Sequence, residues 1–467
     1  MSNDWSRRRA LAVAGGALLA GCSGAPSTDG TADGDDPGDD GPGDGDPDGT
    51  PTPEPTPVPE PETEFTPEEW TAPTDAPATE VERTVLVENL EVPWDLSVAS
   101  NGDVFVTERV GRVSRFAGGD VDAVFTPADA IDAGSVPADQ DEQQWWVDGG
   151  EGGTLGVAVH PDYPDVEVLY VYYTANAEDG GGGDRVNRVS RFDLSADDPA
   201  ATEEVVVGSI PANQYHNGGR IAFGPRGYLW ITTGDAGEKP MAADPGALPG
   251  SVLRVTVNGE GAPDNPEVDG GDPRVFSYGH RNPQGIVWLP DGTPIANEHG
   301  PSGRDEVNRL VAGGDYGWPE VRTADEYRGL ETDSAVRRPL VNTQKSTWAP
   351  TGSLFYTGDG LPSWSNRMVI GGLRSQQVIV ATLSPPDAER PPLGDRGRRF
   401  DAGWLDDAYT VTAHPRLTDV LGRVRHVEQG VDGELYAITS NRDGRSASDD
   451  GFPRSNDDVL VRLEGAR

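Results

Sequence analysis

A histidine in a glycine-rich stretch is the first residue of this chain whose type and setting could support catalysis. His216 stands in the stretch YHNGGR and is one of only six histidines in 467 residues. An imidazole titrates near neutrality, so one that a carboxylate orients can accept a proton as a general base. Asp235, at the end of the strand-like segment that follows, is the candidate carboxylate. A single loop histidine more often serves only as a structural hydrogen-bonding group, so this role is a hypothesis.

Two clusters of polar residues are suited to binding an anion. In SYGHRNPQG, Arg281 and Asn282 would present a planar cation and an amide to an anionic or carbonyl-rich ligand. In GRVRHVEQG, Arg423 and Arg425 are two apart on a predicted strand and therefore share one face. Two arginines that point to one place need an anion between them.

A third cluster, ANEHGPSGRDEVN, has the oxygen chemistry of a cation site. The kink at Gly300 and Pro301 would turn backbone carbonyls toward a hard cation, with Asp305 and Glu306 close by. Ligation by oxygen alone suits Ca²⁺ rather than Zn²⁺. The alternative is that Asp305 and Glu306 form only a solvated acidic loop.

The elements that must position these residues are short strands in a regular repeat. From residue 81 onward, runs rich in Val, Ile, Tyr and Phe alternate with turn residues, and no long stretch has helical apolar spacing. A turn-then-strand unit recurs six times, at Gly102, Asp162, Gly227, Gly292, Asp359 and Gly433. This period predicts an all-β fold, a six-bladed β-propeller; a pair of β-sandwiches would not explain so even a spacing. Propellers bind ligands where loops converge at one end of the channel, and the clusters above lie in such loops.

The N-terminal residues predict export and membrane attachment. The stretch SRRRALAVAGGALLAGC has paired arginines, a short apolar core and a small-residue end, so residues 1–22 resemble a twin-arginine signal with a lipobox. Cys22, the only cysteine, is then a lipid-anchor candidate on the extracellular face of the cell membrane, and a lipid is the only predicted membrane contact. A buried N-terminal helix fits less well, because nothing amphipathic follows.

The distribution of charged residues indicates the domain organisation of the rest of the chain and the ligands it excludes. Residues 26–80 contain 17 acidic and no basic residues, so we expect residues 23–80 to be a disordered linker and residues 81–467 to form the propeller domain. The net charge of −42 makes nucleic-acid binding improbable. Only Lys239 and Lys345 are lysines, and this skew toward arginine and acid resembles proteins of extreme halophiles.

Seven motifs in order carry a family resemblance. Across about residues 88–440 they are PWDLSV, EGGTLGVAVHPDY, HNGGR, YGHRNPQG, NEHGPSGRDEVN, GGDYGWP and GRVRHV. Together they resemble the soluble glucose/sorbosone dehydrogenase family, quinoproteins that use pyrroloquinoline quinone (PQQ). The resemblance implies a six-bladed propeller that oxidises aldose sugars to lactones with PQQ and Ca²⁺ and passes the electrons to an external acceptor.

The resemblance also implies roles for individual residues. His216 would remove the proton of the sugar C1 hydroxyl as hydride passes to the quinone, and Asp235 would support this base. Arg281 would polarise the reacting quinone oxygen, and Asn282 would help to hold the cofactor.

The remaining implied contacts belong to the metal and to the cofactor carboxylates. The carbonyls of Gly300 and Pro301 would bind Ca²⁺, and the cofactor carboxylates would be neutralised by Arg423 and Arg425.

Two residues depart from the family pattern at positions that contact the cofactor. Arg374 stands where relatives carry a lysine, which keeps the charge but changes its geometry. Glu151 stands where a glutamine is usual. Beside a tricarboxylate, Glu151 would either be protonated or be paired with an arginine such as Arg374.

Two other functions are compatible with parts of the sequence. A Ca²⁺-dependent propeller hydrolase, such as a lactonase, would leave the Arg423 and Arg425 pair without a role. A binding propeller without catalysis would leave His216 and Arg281 unexplained. The sequence does not specify the preferred sugar, the electron acceptor or the oligomeric state.

Overall fold

A computed structural model describes residues 57–134, 150–177, 185–445 and 451–466. The predicted signal, Cys22 and the linker up to residue 56 lie outside the described residues. Strands dominate the described part, and its two α-helices, α1 (Lys239–Ala242) and α2 (Ala324–Arg328), are single turns. Two 3₁₀ turns span Pro199–Thr202 and Pro362–Trp364. Within these ranges, no helix has the length and apolar character that a bilayer crossing requires.

The strands are short and follow one another through most of the chain. The first thirteen are β1 (Val81–Val87), β2 (Pro93–Val98), β3 (Val104–Glu108), β4 (Arg112–Ala117), β5 (Asp120–Phe125), β6 (Thr154–Val159), β7 (Val168–Asn176), β8 (Arg185–Asp193), β9 (Glu204–Pro211), β10 (Ile221–Phe223), β11 (Leu229–Thr232), β12 (Ser251–Val255) and β13 (Val275–Tyr278). The others are β14 (Pro283–Trp288), β15 (Pro294–Glu298), β16 (Glu306–Arg309), β17 (Gly314–Asp315), β18 (Val341–Asn342), β19 (Pro350–Tyr356), β20 (Arg367–Gly372), β21 (Gln377–Ser384), β22 (Arg398–Phe400), β23 (Thr410–Arg416), β24 (Val424–Gln429), β25 (Leu435–Thr439) and β26 (Leu460–Gly465).

Six small sheets form the blades of a propeller, which confirms the predicted fold. Their strands are β2–β5, β6–β9, β10–β13 with β17, β14–β16 with β18, β19–β23, and β24–β26 with β1. Pairing is antiparallel except between β13 and β17. The ring closes because β1 pairs with β26, so the first strand completes the last blade.

Apolar residues fill the spaces between adjacent blades. Phe105 of the first blade, for example, packs in one cluster with Leu169 and Tyr173 of the second. A strand between two blades is buried on both faces, so it reads as a continuous apolar run: every residue of β6, TLGVAV, is buried. This explains why the strands lack a clean polar and apolar alternation.

The repeated turns and the candidate site residues lie at opposite ends of the innermost strands. The turn glycines Gly102, Gly227, Gly292 and Gly433 have φ angles of 88°, 79°, 86° and 82°, a left-handed conformation that glycine adopts without strain. At that end the channel widens into a cavity of about 590 Å³. Glu151, His216, Arg281 and Arg423 directly precede or closely precede the same innermost strands, at the other end of the channel.

The C-terminal part of the predicted linker is ordered, so the expectation of disorder is wrong for residues 57–80. Val58 donates from its backbone to the Asn258 side chain and accepts from it, both at 3.1 Å. The Trp70 ring meets Phe355 edge-on at 5.1 Å between centroids. These half-buried apolar residues pack against the turn side of the propeller, while the acidic residues between them are exposed. Composition averaged over the linker does not reveal them.

Candidate active site

The structure brings most of the predicted site residues to one end of the channel. An open cleft of about 420 Å³ is lined by Glu151, His216, Arg281, Asn282, Gly300 and Arg374, among others. A deeper pocket adjoins it and is lined by Arg109, Glu151, His299, Arg423, Arg425 and Asp443. Glu151 and His299 line both spaces, which are therefore continuous parts of one site.

The His216 imidazole is paired with a buried carboxylate. Its Nδ1 lies 2.7 Å from Oδ1 of Asp235, whose side chain is fully buried, whereas 15% of the His216 side chain is exposed. Asp235 also accepts from the Gly237 amide and from Trp318 Nε1, both at 2.8 Å. Burial alone would raise the pKa of Asp235, but the hydrogen bond and charge of His216 outweigh it and lower that pKa. An ionised carboxylate only accepts, so Nδ1 carries the proton and Nε2 is the basic nitrogen.

The backbone around His216 is held in an uncommon conformation. Its φ angle is 61°, in the left-handed region that non-glycine residues seldom adopt. Its amide donates to Glu151 Oε2 at 2.8 Å, and its carbonyl accepts from the Ala236 amide at 3.1 Å. A Cβ on Gly234 would lie 1.9 Å from the His216 carbonyl oxygen, so only glycine fits there. Neighbouring residues on both sides thus determine where the imidazole lies.

Arg281 and Asn282 supply fixed donors next to the histidine. Arg281 Nη1 donates to the His299 carbonyl at 2.8 Å, and its guanidinium lies over the Trp318 ring at 5.4 Å. Asn282 Oδ1 accepts from the Gly218 amide at 3.0 Å. Arg281 Nε and Asn282 Nδ2 are buried and have no hydrogen-bond partner among the described residues. Both residues line the cleft, and each thus has one unsatisfied donor atom.

Arg423 and Arg425 converge, but on a carboxylate of the chain itself. Asp443 Oδ2 accepts from Arg423 Nη2 at 2.6 Å and from Arg425 Nη2 at 3.3 Å. The anion expected between the two arginines is therefore present, and it is an internal carboxylate. Burial lowers the pKa of Arg425 to about 9 and that of neighbouring Arg109 to about 10. Among the described residues that line this pocket, four guanidiniums nevertheless outnumber two carboxylates.

Glu151 is ionised and paired with an arginine other than the expected Arg374. Its Oε1 lies 2.6 Å from Arg445 Nη2, while Oε2 holds the His216 amide. Burial alone would raise the pKa of Glu151, but Arg445 and the His216 amide lower it below the usual value. Arg374 instead lines the mouth of the open cleft.

The predicted metal ligands are present, with other cations beside them. The Gly300 carbonyl accepts from Arg281 Nη1 at 3.3 Å, and the Pro301 carbonyl accepts from Arg304 Nη1 at 2.8 Å. The described part of the chain contains no group of three or more His, Cys, Asp and Glu residues that could hold a metal. A cation bound by these two carbonyls would need further oxygens from elsewhere and would displace the arginines.

Asp305 and Glu306 are buried, so they are not a solvated loop. Asp305 accepts from the backbone amides of Gly300, Trp348 and Ala349 at 3.0, 2.6 and 3.0 Å. It thereby joins the two loops that form one wall of the cleft. Burial and Glu298 raise the pKa of Glu306 to about 8. Its carboxylate accepts from the Tyr327 hydroxyl inside the blade, away from the carbonyl pair.

Sequence reasoning missed several residues of the site. These are Arg109, His299, Trp318, Asp443 and Arg445. Burial lowers the pKa of His299 to about 3, and its Nε2 has no partner among the described residues. His299 and Trp318 stand inside quoted motifs and could have been found, whereas nothing in the sequence around the other three distinguishes them.

Comparison with known proteins agrees with this architecture. The Glucose / Sorbosone dehydrogenase family matches residues 90–448. The chain is 31% identical over 383 residues to aldose sugar dehydrogenase YliI of Escherichia coli K12, covering 79% of this chain and 92% of that protein. The PQQ-bound aldose sugar dehydrogenase of Streptomyces coelicolor superimposes with a TM-score of 0.62 at 28% identity, over 83% of this chain and 99% of that one. The apo form of the soluble Escherichia coli aldose sugar dehydrogenase gives a TM-score of 0.62 at 27% identity, over 83% and 100%. The chain belongs to the glucose/sorbosone dehydrogenase family.

Proposed function

We propose that this protein oxidises aldose sugars at C1 to lactones, using PQQ and Ca²⁺, and passes the electrons to an external acceptor. The observation that carries the proposal is the His216–Asp235 pair, an oriented base at the edge of a pocket rich in unsatisfied donors. The relatives named aldose sugar dehydrogenase support the reaction, and the PQQ-bound relative supports the cofactor.

The chemistry of the pocket fits a quinone that carries several carboxylates. The Nε atoms of Arg281 and Arg425 and Nδ2 of Asn282 are buried donors without partners among the described residues. Unsatisfied buried donors cost free energy, so an acceptor-rich ligand would stabilise the site. Arg423, Arg425 and Arg109 would neutralise its carboxylates, and Arg281 and Asn282 would hold its quinone end. When bound, PQQ would supply the acceptor for the hydride that leaves the sugar C1.

His216 and Asp235 would carry the proton of the same reaction. Nε2 of His216 would take the proton of the C1 hydroxyl, because Nδ1 is occupied by its hydrogen bond to Asp235. The ionised Asp235 would stabilise the imidazolium that results. The Trp318 and Gly237 donors keep Asp235 ionised and fixed. The imidazolium would return its proton to solvent through the open cleft.

A calcium ion is the weaker fit of the two cofactors. Ca²⁺ takes about six to eight oxygen ligands. The chain offers the Gly300 and Pro301 carbonyls at this point, so the cofactor and water would have to supply the others. Titrating Ca²⁺ calorimetrically with and without PQQ tests this: we expect binding only in the presence of PQQ.

We also propose that the mature protein is lipid-anchored through Cys22 on the outer face of the cell membrane. The support is the twin-arginine stretch and lipobox of residues 1–22. Cys22→Ser should move the protein from the membrane fraction to the soluble fraction or leave it unprocessed. Mass spectrometry that found an unmodified Cys22 in the mature chain would exclude the anchor.

Reconstitution tests the enzymatic proposal directly. We expect the purified, PQQ-free protein to bind added PQQ and then to reduce a redox dye when glucose is added. The same protein should not reduce the dye before PQQ is added. Lactone hydrolysis without PQQ would instead identify the hydrolase alternative. Failure to bind PQQ would contradict the proposal whatever the activity.

A further inference from the structure

The described residues that line the open cleft include more cations than anions, although the protein as a whole is acidic. The cations are Arg281, Lys345, Arg374 and Arg445, and the anions are Glu151 and Asp305. This balance contrasts with a net charge of −42 for the whole chain. A cleft of one sign in a protein of the other sign concentrates ligands of the opposite charge to the cleft.

The two carboxylates in the cleft are already engaged by protein donors. Glu151 is paired with Arg445 and holds the His216 amide. Asp305 is buried and accepts from backbone amides, including those of Trp348 and Ala349. Neither carboxylate is therefore placed to repel an anion from the outer part of the cleft.

Lys345 is the cation that the site does not otherwise use. It is exposed in a short loop, and among the described residues it forms no ion pair. The loop is tied by two hydrogen bonds between Thr343 and Ser346, of 2.8 and 3.2 Å, and its end is held by Asp305. The loop therefore presents the Lys345 ammonium from a fixed backbone on the cleft wall. The other lysine, Lys239, is not among the residues that line this cleft.

We infer that the cleft prefers aldoses that carry a negative charge, as a carboxylate or a phosphate, and that Lys345 recognises this charge. The inference rests on the proposed function, whose substrate class it narrows. The arginines of the deeper pocket are suited to the cofactor, whereas Lys345 lines the open cleft together with His216. Lys345 is thus a specificity residue, and it takes no part in the proton transfer.

The test compares glucuronate with glucose in the PQQ-loaded enzyme. An exposed ion pair is worth a small factor, so Lys345→Gln should lower kcat/KM for glucuronate about two- to fivefold and leave glucose unchanged. The effect should fade near 1 M salt, where the Debye length falls to about 3 Å. Arg83→Gln removes the same charge from the exposed edge strand β1, outside the cleft, and should change neither sugar. An equal effect on both sugars, or an equal effect of Arg83→Gln, would overturn the inference.

A binding measurement separates this inference from the proposed function. Methyl glucuronide has no free C1 hydroxyl and cannot be oxidised there, so calorimetry reports its recognition without turnover. We expect it to bind more tightly than methyl glucoside, and Lys345→Gln to abolish the difference. Equal affinities of the wild-type protein for the two glycosides would overturn the inference. Failure of the proposed function would look different, because neither glucose nor glucuronate would then reduce a dye although the affinities still differed.

Discussion

Replacing Asp235 with asparagine tests how the site orients its base. The carboxylate receives three donors and no acceptor: His216 Nδ1 and the Gly237 amide at Oδ1, and Trp318 Nε1 at Oδ2. An amide has one oxygen and one NH₂, so it cannot satisfy all three. If the oxygen faces His216, the NH₂ meets the Trp318 N–H; if the NH₂ faces His216, it meets the Gly237 N–H. Each orientation leaves one buried donor facing another, at a cost of about 1–3 kcal/mol.

The second orientation abolishes the base. An NH₂ group facing Nδ1 would turn that nitrogen of His216 into an acceptor, so Nε2 would carry the proton and could not accept one from the sugar. The first orientation keeps the tautomer but removes the charge that stabilises the imidazolium. We therefore expect Asp235→Asn to lower kcat by about 10³- to 10⁴-fold, or about 4–5 kcal/mol.

A second substitution makes the reasoning refutable. Trp318→Phe removes the N–H that opposes the first orientation and keeps a ring beneath Arg281. The double variant Asp235→Asn/Trp318→Phe should then recover roughly tenfold in kcat over Asp235→Asn alone. Dye-reduction kinetics after PQQ reconstitution measure this, and circular dichroism checks the fold. If the double variant loses as much as the product of the two single losses, the donor conflict is not the cause.

Three further outcomes follow from the contacts of the site and of the N-terminal segment. His216→Ala should lower kcat by about 10²- to 10⁴-fold with unchanged PQQ affinity, and a value within twofold of wild type would remove His216 from the mechanism. Glu151→Gln should tighten PQQ binding about three- to tenfold, because it removes a negative charge from the lining of the pocket that we propose for the tricarboxylate. Because the pKa of Glu151 is lowered, its carboxylate stays ionised throughout the range from pH 5 to 8, and the gain in PQQ affinity should be constant over that range. A gain that shrinks as the pH falls would show that Glu151 becomes protonated. Trp70→Ala should lower the free energy of unfolding by about 2 kcal/mol in a thermal or urea melt, because the ring packs against the propeller, and no change would mean that residues 57–80 do not stabilise the fold.

The fold could be predicted because its repeating unit is short and because the turns between strands require particular residue types. Each unit needs a residue with a left-handed or tight-turn conformation before a strand, and glycines such as Gly102 and Gly227 provide it at steady intervals. The linker prediction failed for residues 57–80 for the opposite reason. Two or three apolar side chains, Trp70 among them, decide whether such a segment packs, and an average over acidic composition is insensitive to them.

Site residues could be predicted where a single sequence motif contains them and indicates their chemistry. They could not be predicted where a charged residue pairs with a partner that is distant in the sequence. Spacing placed Arg423 and Arg425 on one face, but their common acceptor, Asp443, follows strand β25 and has no motif of its own. The prediction of the ion-pair partner of Glu151 failed for the same reason. Charge balance required an arginine, and in a chain with 35 of them the sequence offers many; only the fold brings Arg445, rather than Arg374, to 2.6 Å. Charge requirements can therefore be derived from the sequence, whereas the identity of the group that satisfies them depends on contacts made across the propeller.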